Sequence, residues 1–330
     1  MINPQDIFTI SSQKQFEKIA LKVFRFQYEN NLVYQEFCNF LKVDKQAVKS
    51  LQQIPFLPIQ FFKNHDVVSN NTESSGLVQE TFTSSGTTGM ITSKHLVTDV
   101  SLYEQSYRYT FSEFYGNIED YAVLALLPSY LERSGSSLIY MVKDLIELSN
   151  NENSGFYLHN YDELITKLVA LDSTGQNVIL IGVTYALLDL IEKQKFQLKN
   201  TIIMETGGMK GKRKEMIREE LHEILRNGFG VQNIHSEYGM TELLSQAYSL
   251  GNGIFECPAW MQILIRDTED ALTYVNMGKS GGVNVIDLAN INSCCFIATQ
   301  DLGKKYPNNT FEILGRFHNS DIRGCNLMVM

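Results

Sequence analysis

Hydrophobic residues in the first part of the chain recur at the spacing of a helix face. Phe16 and Val23 belong to this pattern, which predicts helical structure over residues 12–41. Pro55 and Pro58 follow, and proline biases the residue before it towards extended backbone. We therefore expect the helical region to end ahead of these prolines.

The centre of the chain alternates unbroken apolar runs with patterns of helical period. Such a run is typical of a parallel strand that is buried on both faces. Strands of this kind, alternating with helices, predict an α/β fold with a mostly parallel sheet. The predicted strands here are residues 78–83, 121–127, 177–183, 200–205 and 231–235, and the predicted helices are residues 101–115, 138–148, 184–193 and 212–226. The chain after residue 253 is richer in strand patterns, at residues 261–266, 272–276, 282–288 and 294–299.

Composition and charge narrow the class of protein. The chain has 330 residues, is 44% hydrophobic and carries a formal net charge of −9, so it can bury a large core and has no basic stripe. We therefore expect no nucleic-acid partner. The five cysteines form no disulfide framework, which favours a reducing compartment. The start of the chain lacks a secretory signal pattern, and no run reaches the roughly 20 apolar residues of a membrane span. These features predict a cytoplasmic protein without a membrane span.

A run of small hydroxyl residues and glycines follows the predicted strand 78–83. Glycines let the backbone approach an anion closely, hydroxyls donate to phosphate oxygens, and Lys94 shortly afterwards could add a positive charge. A flexible linker is the alternative, but the preceding strand favours a phosphate-binding loop. The run does not match a Walker loop, because Met90 and Ile91 follow its last glycine. Its members are Thr83, Ser84, Ser85, Gly86, Thr87, Thr88 and Gly89.

Four further segments carry possible ligand chemistry. In residues 238–242 (YGMTE) an aromatic ring can stack on a base, a threonine can reach a phosphate, and a glutamate can hold Mg²⁺. A turn followed by a helix capped at Thr241 is the alternative. The other three have ordinary alternatives as well: Gly207–Gly208 as a strand-to-helix turn, Asp301 as a turn residue, and Arg316 as a surface arginine.

The ordered set of five segments resembles the adenylate-forming superfamily, which includes acyl-CoA synthetases and peptide-synthetase adenylation domains. The resemblance spans residues 83–324. Within that superfamily the chain is similar to phenylacetate-CoA ligases and to the LuxE-type acyl-protein synthetase of bacterial bioluminescence. Residues 127–137, 235–242 and 323–327 lean towards the LuxE type. The matching segments are 83–89 for the phosphate loop, 206–208 for the adenine contact, 238–242 for nucleotide and Mg²⁺, 299–303 for ribose, and 315–324 for the hinge.

The resemblance implies an ATP- and Mg²⁺-dependent enzyme. A carboxylate would attack the α-phosphorus of ATP, giving acyl-AMP and pyrophosphate. It also implies the superfamily's N-terminal-domain fold, with parallel-rich sheets layered with helices and a strand-rich C-terminal subdomain. The implied roles are phosphate binding for residues 83–89, base contacts for Tyr238, Gly239, Gly207 and Gly208, an α-phosphate contact for Thr241, Mg²⁺ ligation for Glu242, and ribose contacts for Asp301 and Arg316.

Three departures from the superfamily's pattern change what we expect. Lys94 lies further from the loop than the usual lysine. The zinc-binding pattern of the phenylacetate ligases is not kept, because Gln262 stands where a histidine is expected, so we expect no structural zinc. The sequence stops soon after the hinge-like segment, without the mobile C-terminal domain of full synthetases. This predicts an N-terminal helical region at 1–75, an adenylate-forming core at 76–322 and a truncated tail at 323–330.

The expected activity is activation of a carboxylic, and by family a fatty, acid followed by acyl transfer to a protein thiol. The acceptor would be an acyl-carrier protein, a partner acyl-accepting enzyme or Cys325, which the resemblance suggests for self-acylation. A packed terminal residue is the alternative for that cysteine. Two other functions stay open: an acyl- or aryl-CoA ligase that uses a separate C-terminal domain, and a non-catalytic nucleotide- or acyl-binding relative.

Overall fold

The computed structural model describes residues 2–69, 77–84, 92–128, 134–207, 213 and 216–317. The chain forms two compact units, each assembled from separate segments. Unit 1 consists of Met1–Ser106, Glu242–Ser245 and Glu256–Met330, and unit 2 consists of Tyr107–Thr241 and Gln246–Phe255.

The described residues contain helices and strands in an order that fits an α/β fold. The α-helices are α1 (Gln13–Asn30), α2 (Leu32–Phe40), α3 (Phe61–Asn64), α4 (Val100–Tyr115), α5 (Ser137–Leu148), α6 (Tyr161–Ser173), α7 (Thr184–Lys193) and α8 (Arg218–Phe229). The strands are β1 (Leu57–Pro58), β2 (Glu80–Thr83), β3 (Lys94–Val97), β4 (Ala122–Leu126), β5 (Gly155–Tyr157), β6 (Val178–Val183), β7 (Thr201–Thr206), β8 (His235–Tyr238), β9 (Ala247–Ser249), β10 (Ile254–Phe255), β11 (Met261–Arg266), β12 (Ser280–Asp287), β13 (Phe296–Lys305) and β14 (Phe311–Arg316). Short 3-10 turns occupy Pro4–Thr9, Leu51–Gln53, Ile118–Asp120 and Leu288–Asn290.

Unit 2 is built on a sheet in the order β5-β4-β6-β7-β8-β9. Its first five strands are parallel, and β9 runs antiparallel to β8. Every residue of β4 and β6 is buried, which is why these strands have unbroken apolar sequences. The carboxyl ends of β7 and β8 carry Thr206 and Tyr238, so two of the ligand-bearing segments follow neighbouring strands of one sheet.

Unit 1 contains an antiparallel sheet in the order β14-β13-β12-β11, with β1 parallel to β13. Buried and half-buried residues alternate along β11, so one face of this strand lies against the core. The strands β2 and β3 form a separate antiparallel hairpin. Unit 1 therefore contains two features of interest. One is the hairpin whose strands lie on either side of residues 85–91 in the sequence, and the other is the sheet that carries Asp301.

The predicted helix over 12–41 is two helices, which meet at Asn31. The Asn31 side chain accepts a hydrogen bond from the backbone N–H of Tyr34, so it caps α2 and ends the continuity of α1. Inside α1 the buried Gln27 donates to the carbonyl oxygens of Asn290 and Ile291, at 3.1 and 2.9 Å. A polar side chain on the apolar face of α1 thus ties the helix to the turn that follows β12.

Three other predicted elements differ from the structure for local reasons. The strand predicted at 231–235 begins only at His235, because the N–H of Val231 bonds the carbonyl of Arg226 at the end of α8. The strand predicted at 272–276 is reduced to a bridge between Tyr274 and Arg266, since side-chain bonds hold the preceding residues in a turn. Within the described residues, the helix predicted at 212–226 corresponds to α8, which begins at Arg218 and ends at Phe229.

Candidate functional site

The candidate phosphate loop begins in a hairpin whose base is closed by two hydrogen bonds. The N–H of Ser84 donates to the carbonyl of Ser93 at 3.1 Å, and the N–H of Ser93 donates to Ser84 Oγ at 2.9 Å. Thr83 pairs with Lys94 across the hairpin, and the Lys94 side chain is exposed. The remaining predicted loop residues, Ser85, Gly86, Thr87, Thr88 and Gly89, lie outside the described residues.

Glu242 is buried, with 5% of its surface exposed, and belongs to unit 1. Burial raises the pKa of its carboxyl group, while a hydrogen bond from the Ser93 hydroxyl and the charges of Arg316 and Lys63 partly oppose that rise. Its backbone carbonyl accepts a hydrogen bond from Asn290 Nδ2 at 2.8 Å. The predicted Mg²⁺ ligand therefore lies against the base of the hairpin, with positive charge around it.

A backbone clamp holds the residues that follow Glu242. The Asp287 carboxylate accepts from the N–H groups of Leu244 and Ser245, at 2.7 and 3.0 Å, and from Ser245 Oγ at 2.5 Å. This segment is therefore an ordered loop, and the alternative of a helix capped at Thr241 is wrong, since the next element is strand β9. Asp287 was not predicted, and its only sequence signal is an acidic residue at the end of an apolar strand.

Asp301 and Arg316 are cross-strand neighbours on β13 and β14. Arg316 Nε donates to Asp301 Oδ1 at 3.0 Å. The Asp301 carboxylate is buried, whereas 77% of the Arg316 side chain is exposed. Asp301 lies inside a strand and so is not the turn residue of the alternative reading. The two residues with implied ribose contacts thus form one ion pair.

The remaining predicted site residues belong to unit 2. Gly207 ends β7 with a φ of 67°, and its carbonyl accepts from Thr184 Oγ1 at 3.0 Å. Tyr238 is buried and packs edge-on against Phe255, with ring centroids 5.9 Å apart. A Cβ on Gly239 would lie 2.4 Å from Glu237 Oε1, so a side chain at this position would require the Glu237 carboxyl group to shift. Thr241 is half-buried in a turn, and Gly208 lies outside the described residues.

Two acidic residues that were not predicted as site residues lie at the ends of β7 and β8, Glu205 buried and Glu237 half-buried. Thr206 Oγ1 donates to Glu237 Oε2 at 2.6 Å, and Arg218 donates to Glu205 Oε1 at 2.6 Å. Burial raises the pKa of Glu237 to about 7, the Thr206 bond opposes the rise, and the charge of Glu205 adds to it. Burial also opposes ionisation of Glu205, but bonds and charges from His222 and Arg218 outweigh it and lower its pKa.

The described residues set limits on metal ligands and membrane spans. Among them, no group of three or more His, Cys, Asp or Glu side chains is arranged to hold a metal ion. One carboxylate such as Glu242 still fits Mg²⁺, which proteins commonly bind through one or two carboxylates together with substrate phosphates. No helix in the described part of the chain has the length and apolar character to cross a membrane. Cys325 lies outside that part.

Similarity to solved structures defines the fold. ATP-bound MatB from Rhodopseudomonas palustris matches with a TM-score of 0.53 and 17% identity over 72% of this chain and 47% of that one. An open conformation of 2-hydroxyisobutyryl-CoA ligase, in complex with 2-HIB-AMP and CoA, matches with a TM-score of 0.69 and 11% identity over 97% and 76%. The chain therefore spans about half the length of the MatB structure. The fold is the N-terminal-domain fold of adenylate-forming enzymes, as predicted.

The family comparison is more specific than the fold. Residues 3–330 match the family described as "Acyl-protein synthetase, LuxE". The chain belongs to this LuxE acyl-protein synthetase family, which confirms the resemblance found in the sequence. No curated protein matches the chain significantly.

Proposed function

We propose that this protein activates a carboxylic acid with ATP and passes the acyl group to a protein thiol. In the first step an acid oxygen bonds to the α-phosphorus, the bond between the α-phosphorus and the bridging oxygen breaks, and pyrophosphate leaves. In the second step a thiolate attacks the acyl carbonyl carbon, and AMP leaves. The observation that carries this proposal is the LuxE family match over nearly the whole chain.

Electrostatic positioning is the main task of the proposed adenylation site. Thr83, Ser84 and the following loop to Gly89 would bind the β- and γ-phosphates, with Lys94 as an added charge at the hairpin. Glu242 would hold Mg²⁺, which would neutralise phosphate charge during the transfer. The burial of Glu242 beside Ser93 supports this assignment, because a carboxylate away from bulk water interacts strongly with a cation.

Further residues are proposed to contact the nucleoside. Asp301 would accept hydrogen bonds from ribose hydroxyls, and Arg316 would orient that carboxylate through the Nε contact. Tyr238 would stack on the adenine, with Gly207, Gly208 and Gly239 giving room at its edge. Thr241 would contact the α-phosphate. The similar structures of MatB with ATP and of 2-hydroxyisobutyryl-CoA ligase with 2-HIB-AMP support a nucleotide site of this class.

The acid is proposed to be apolar, and by family a fatty acid. The family description as an acyl-protein synthetase supports a protein acceptor, either an acyl-carrier protein, a partner enzyme or Cys325 of this chain.

The test begins with carboxylate-dependent exchange of labelled pyrophosphate into ATP, using a panel of saturated fatty acids and aryl acids. Exchange with fatty acids would support the proposal, and no exchange with any acid in folded protein would refute it. The second step is tested by incubating the protein with ATP and a labelled fatty acid, alone and with an acyl-carrier protein. Labelling of Cys325→Ser equal to that of wild type would exclude this cysteine as acceptor.

A CoA ligase is the second candidate. Structures of 2-hydroxyisobutyryl-CoA ligase with CoA cover nearly all of this chain, which favours testing it. The discriminating measurement is thioester formation with CoA as the only acceptor. Formation of acyl-CoA at the rate of acyl-AMP synthesis would support the ligase and count against the protein-acceptor proposal.

A further inference from the structure

A buried asparagine links Glu242 to the hairpin of the candidate phosphate loop. Asn290 is fully buried, and its Nδ2 donates to the carbonyl oxygens of Glu242 and Cys294, at 2.8 and 3.0 Å. Its Oδ1 lies 3.0 Å from His95 Nε2. Since both amide hydrogens of Asn290 are used on carbonyl oxygens, Oδ1 must accept, and His95 must carry its proton on Nε2.

His95 belongs to the hairpin itself. It lies on β3, two residues after Ser93, and is 1% exposed. Its ring packs edge-on against Phe62, with centroids 5.7 Å apart. A buried ring held by a neighbouring aromatic and by Asn290 has little freedom, so the position of β3 is coupled to the position of Asn290.

The other end of the link is equally fixed. Asn290 closes the 3-10 turn Leu288–Asn290, and this turn is capped by the Asp287 side chain that also binds the amides of Leu244 and Ser245. The segment from Glu242 to Ser245 is thus held at its first carbonyl and at its last two amides. The Glu242 carboxyl group itself accepts a hydrogen bond from the Ser93 hydroxyl.

We propose that His95 and Asn290 are positioning residues that hold the Glu242 carboxylate at a fixed place relative to the β2–β3 hairpin. Two connections then join the hairpin to Glu242: Ser93 to its side chain, and the His95–Asn290 pair to its backbone. A metal at Glu242 needs a fixed position relative to the nucleotide that it serves, and small misplacements of charged groups are costly in rate. This inference rests on the proposed function, since it needs Glu242 to act on Mg²⁺.

Single substitutions test the His95–Asn290 contact and the Asn290–Glu242 contact separately. Asn290→Asp keeps an acceptor for His95 but loses both donors, including the one to the Glu242 carbonyl. His95→Leu removes the donor to Asn290, while His95→Gln keeps an N–H at a similar distance. Asn31→Asp is the matched control, because Asn31 is also buried in unit 1 and donates to a carbonyl, that of Ser293, without contacting Glu242.

The measurement is the apparent Kd of Mg·ATP from ligand-induced shifts in Tm of the full chain, followed by pyrophosphate exchange. We expect Asn290→Asp and His95→Leu to weaken Mg·ATP binding about tenfold and to lower kcat of exchange by roughly 10- to 100-fold. His95→Gln should stay within about threefold and Asn31→Asp within about twofold of wild type. With ATP and a chelator in place of Mg²⁺, the differences in binding should vanish, which a purely structural role would not produce.

Three outcomes would overturn the inference. The variants and Asn31→Asp could lose Mg·ATP affinity in parallel, the loss could persist without Mg²⁺, or neither variant could differ from wild type. Failure of the proposed function is recognised separately. In that case wild type binds Mg·ATP, the variants weaken this binding as expected, and no acid supports exchange. Absence of a wild-type response to Mg·ATP would refute both.

Discussion

Glu237 and Glu242 stand five positions apart in the sequence, yet they have opposite surroundings. Glu242, in unit 1, accepts a hydrogen bond from the Ser93 hydroxyl and interacts electrostatically with the positive charges of Arg316 and Lys63. Glu237, in unit 2, accepts a hydrogen bond from the Thr206 hydroxyl and is repelled by the negative charge of Glu205. Burial raises the pKa of both, but only Glu242 has cationic neighbours that favour its charged form. The charges nearby, more than burial, therefore decide which of these two carboxyl groups suits a metal ion.

The largest expected effect is the loss of pyrophosphate exchange when Glu242 is replaced. Glu242→Gln should lower pyrophosphate exchange by roughly 10²–10³-fold, because a neutral amide cannot replace a buried charge aimed at Mg²⁺. Glu269→Gln, an exposed change in unit 1, should leave exchange unchanged. The measurement is kcat at saturating Mg·ATP. A Glu242→Gln rate within threefold of wild type would remove Glu242 from the proposed mechanism.

A second, smaller effect concerns the cation near Glu242. Arg316→Met removes a charged hydrogen bond to Asp301 and should raise the KM for ATP about tenfold. The matched control is Lys304→Met, since Lys304 pairs with Glu312 on the same two strands, at 3.2 Å. Loss of that half-buried pair, which has no proposed nucleotide contact, should change KM less than about twofold. Equal effects of the two substitutions would show that the loss comes from β13–β14 pairing and not from the nucleotide site.

Much of the fold was predictable because local patterns reflect burial. Strands β4 and β6 were predicted within about a residue at each end, since a strand covered on both faces is apolar throughout. Strand β11 was predicted exactly as it stands, from residues 261 to 266. The predicted fold class is confirmed by the structural neighbours.

Contacts between distant parts of the chain were not predictable from local patterns. His95 and Asn290 meet across 195 positions, and neither belongs to a motif. Strand β13 runs through Asp301 to Lys305 because β14 pairs with it, and that pairing partner was not predicted. The pair Asp301–Arg316 was predicted to act together only through the family resemblance. The assigned roles of these residues remain predictions.

A third effect tests the pH dependence of Glu237. Its pKa is about 7 in the folded protein, above the ordinary value of 4.5. The folded state therefore binds a proton more tightly than the unfolded state, and the free energy of unfolding should fall as pH rises from about 4.5 to about 7. Glu237→Gln should remove this loss and be more stable than wild type by about 1 to 2 kcal/mol at pH 8.

The measurement for Glu237 is urea unfolding between pH 4 and 8, followed by fluorescence. Glu223→Gln, at an exposed position of α8, is the control and should keep the wild-type dependence on pH. If Glu237→Gln falls in stability with pH as steeply as wild type, then Glu237 is already ionised near pH 5. Its contrast with Glu242 would then be lost.

The smallest expected effect sharpens the description of Glu242. Ser93 donates to the Glu242 carboxyl and thereby lowers a pKa that burial raises. Ser93→Ala should therefore move the acid limb of the exchange profile to higher pH, since more of Glu242 stays protonated. On that limb the rate should fall about threefold, equivalent to one modest hydrogen bond, and it should recover on the alkaline plateau. Ser249→Ala, in unit 2, is the control. A uniform loss at every pH would contradict this account, because both hairpin bonds to Ser84 use the Ser93 backbone and survive the substitution.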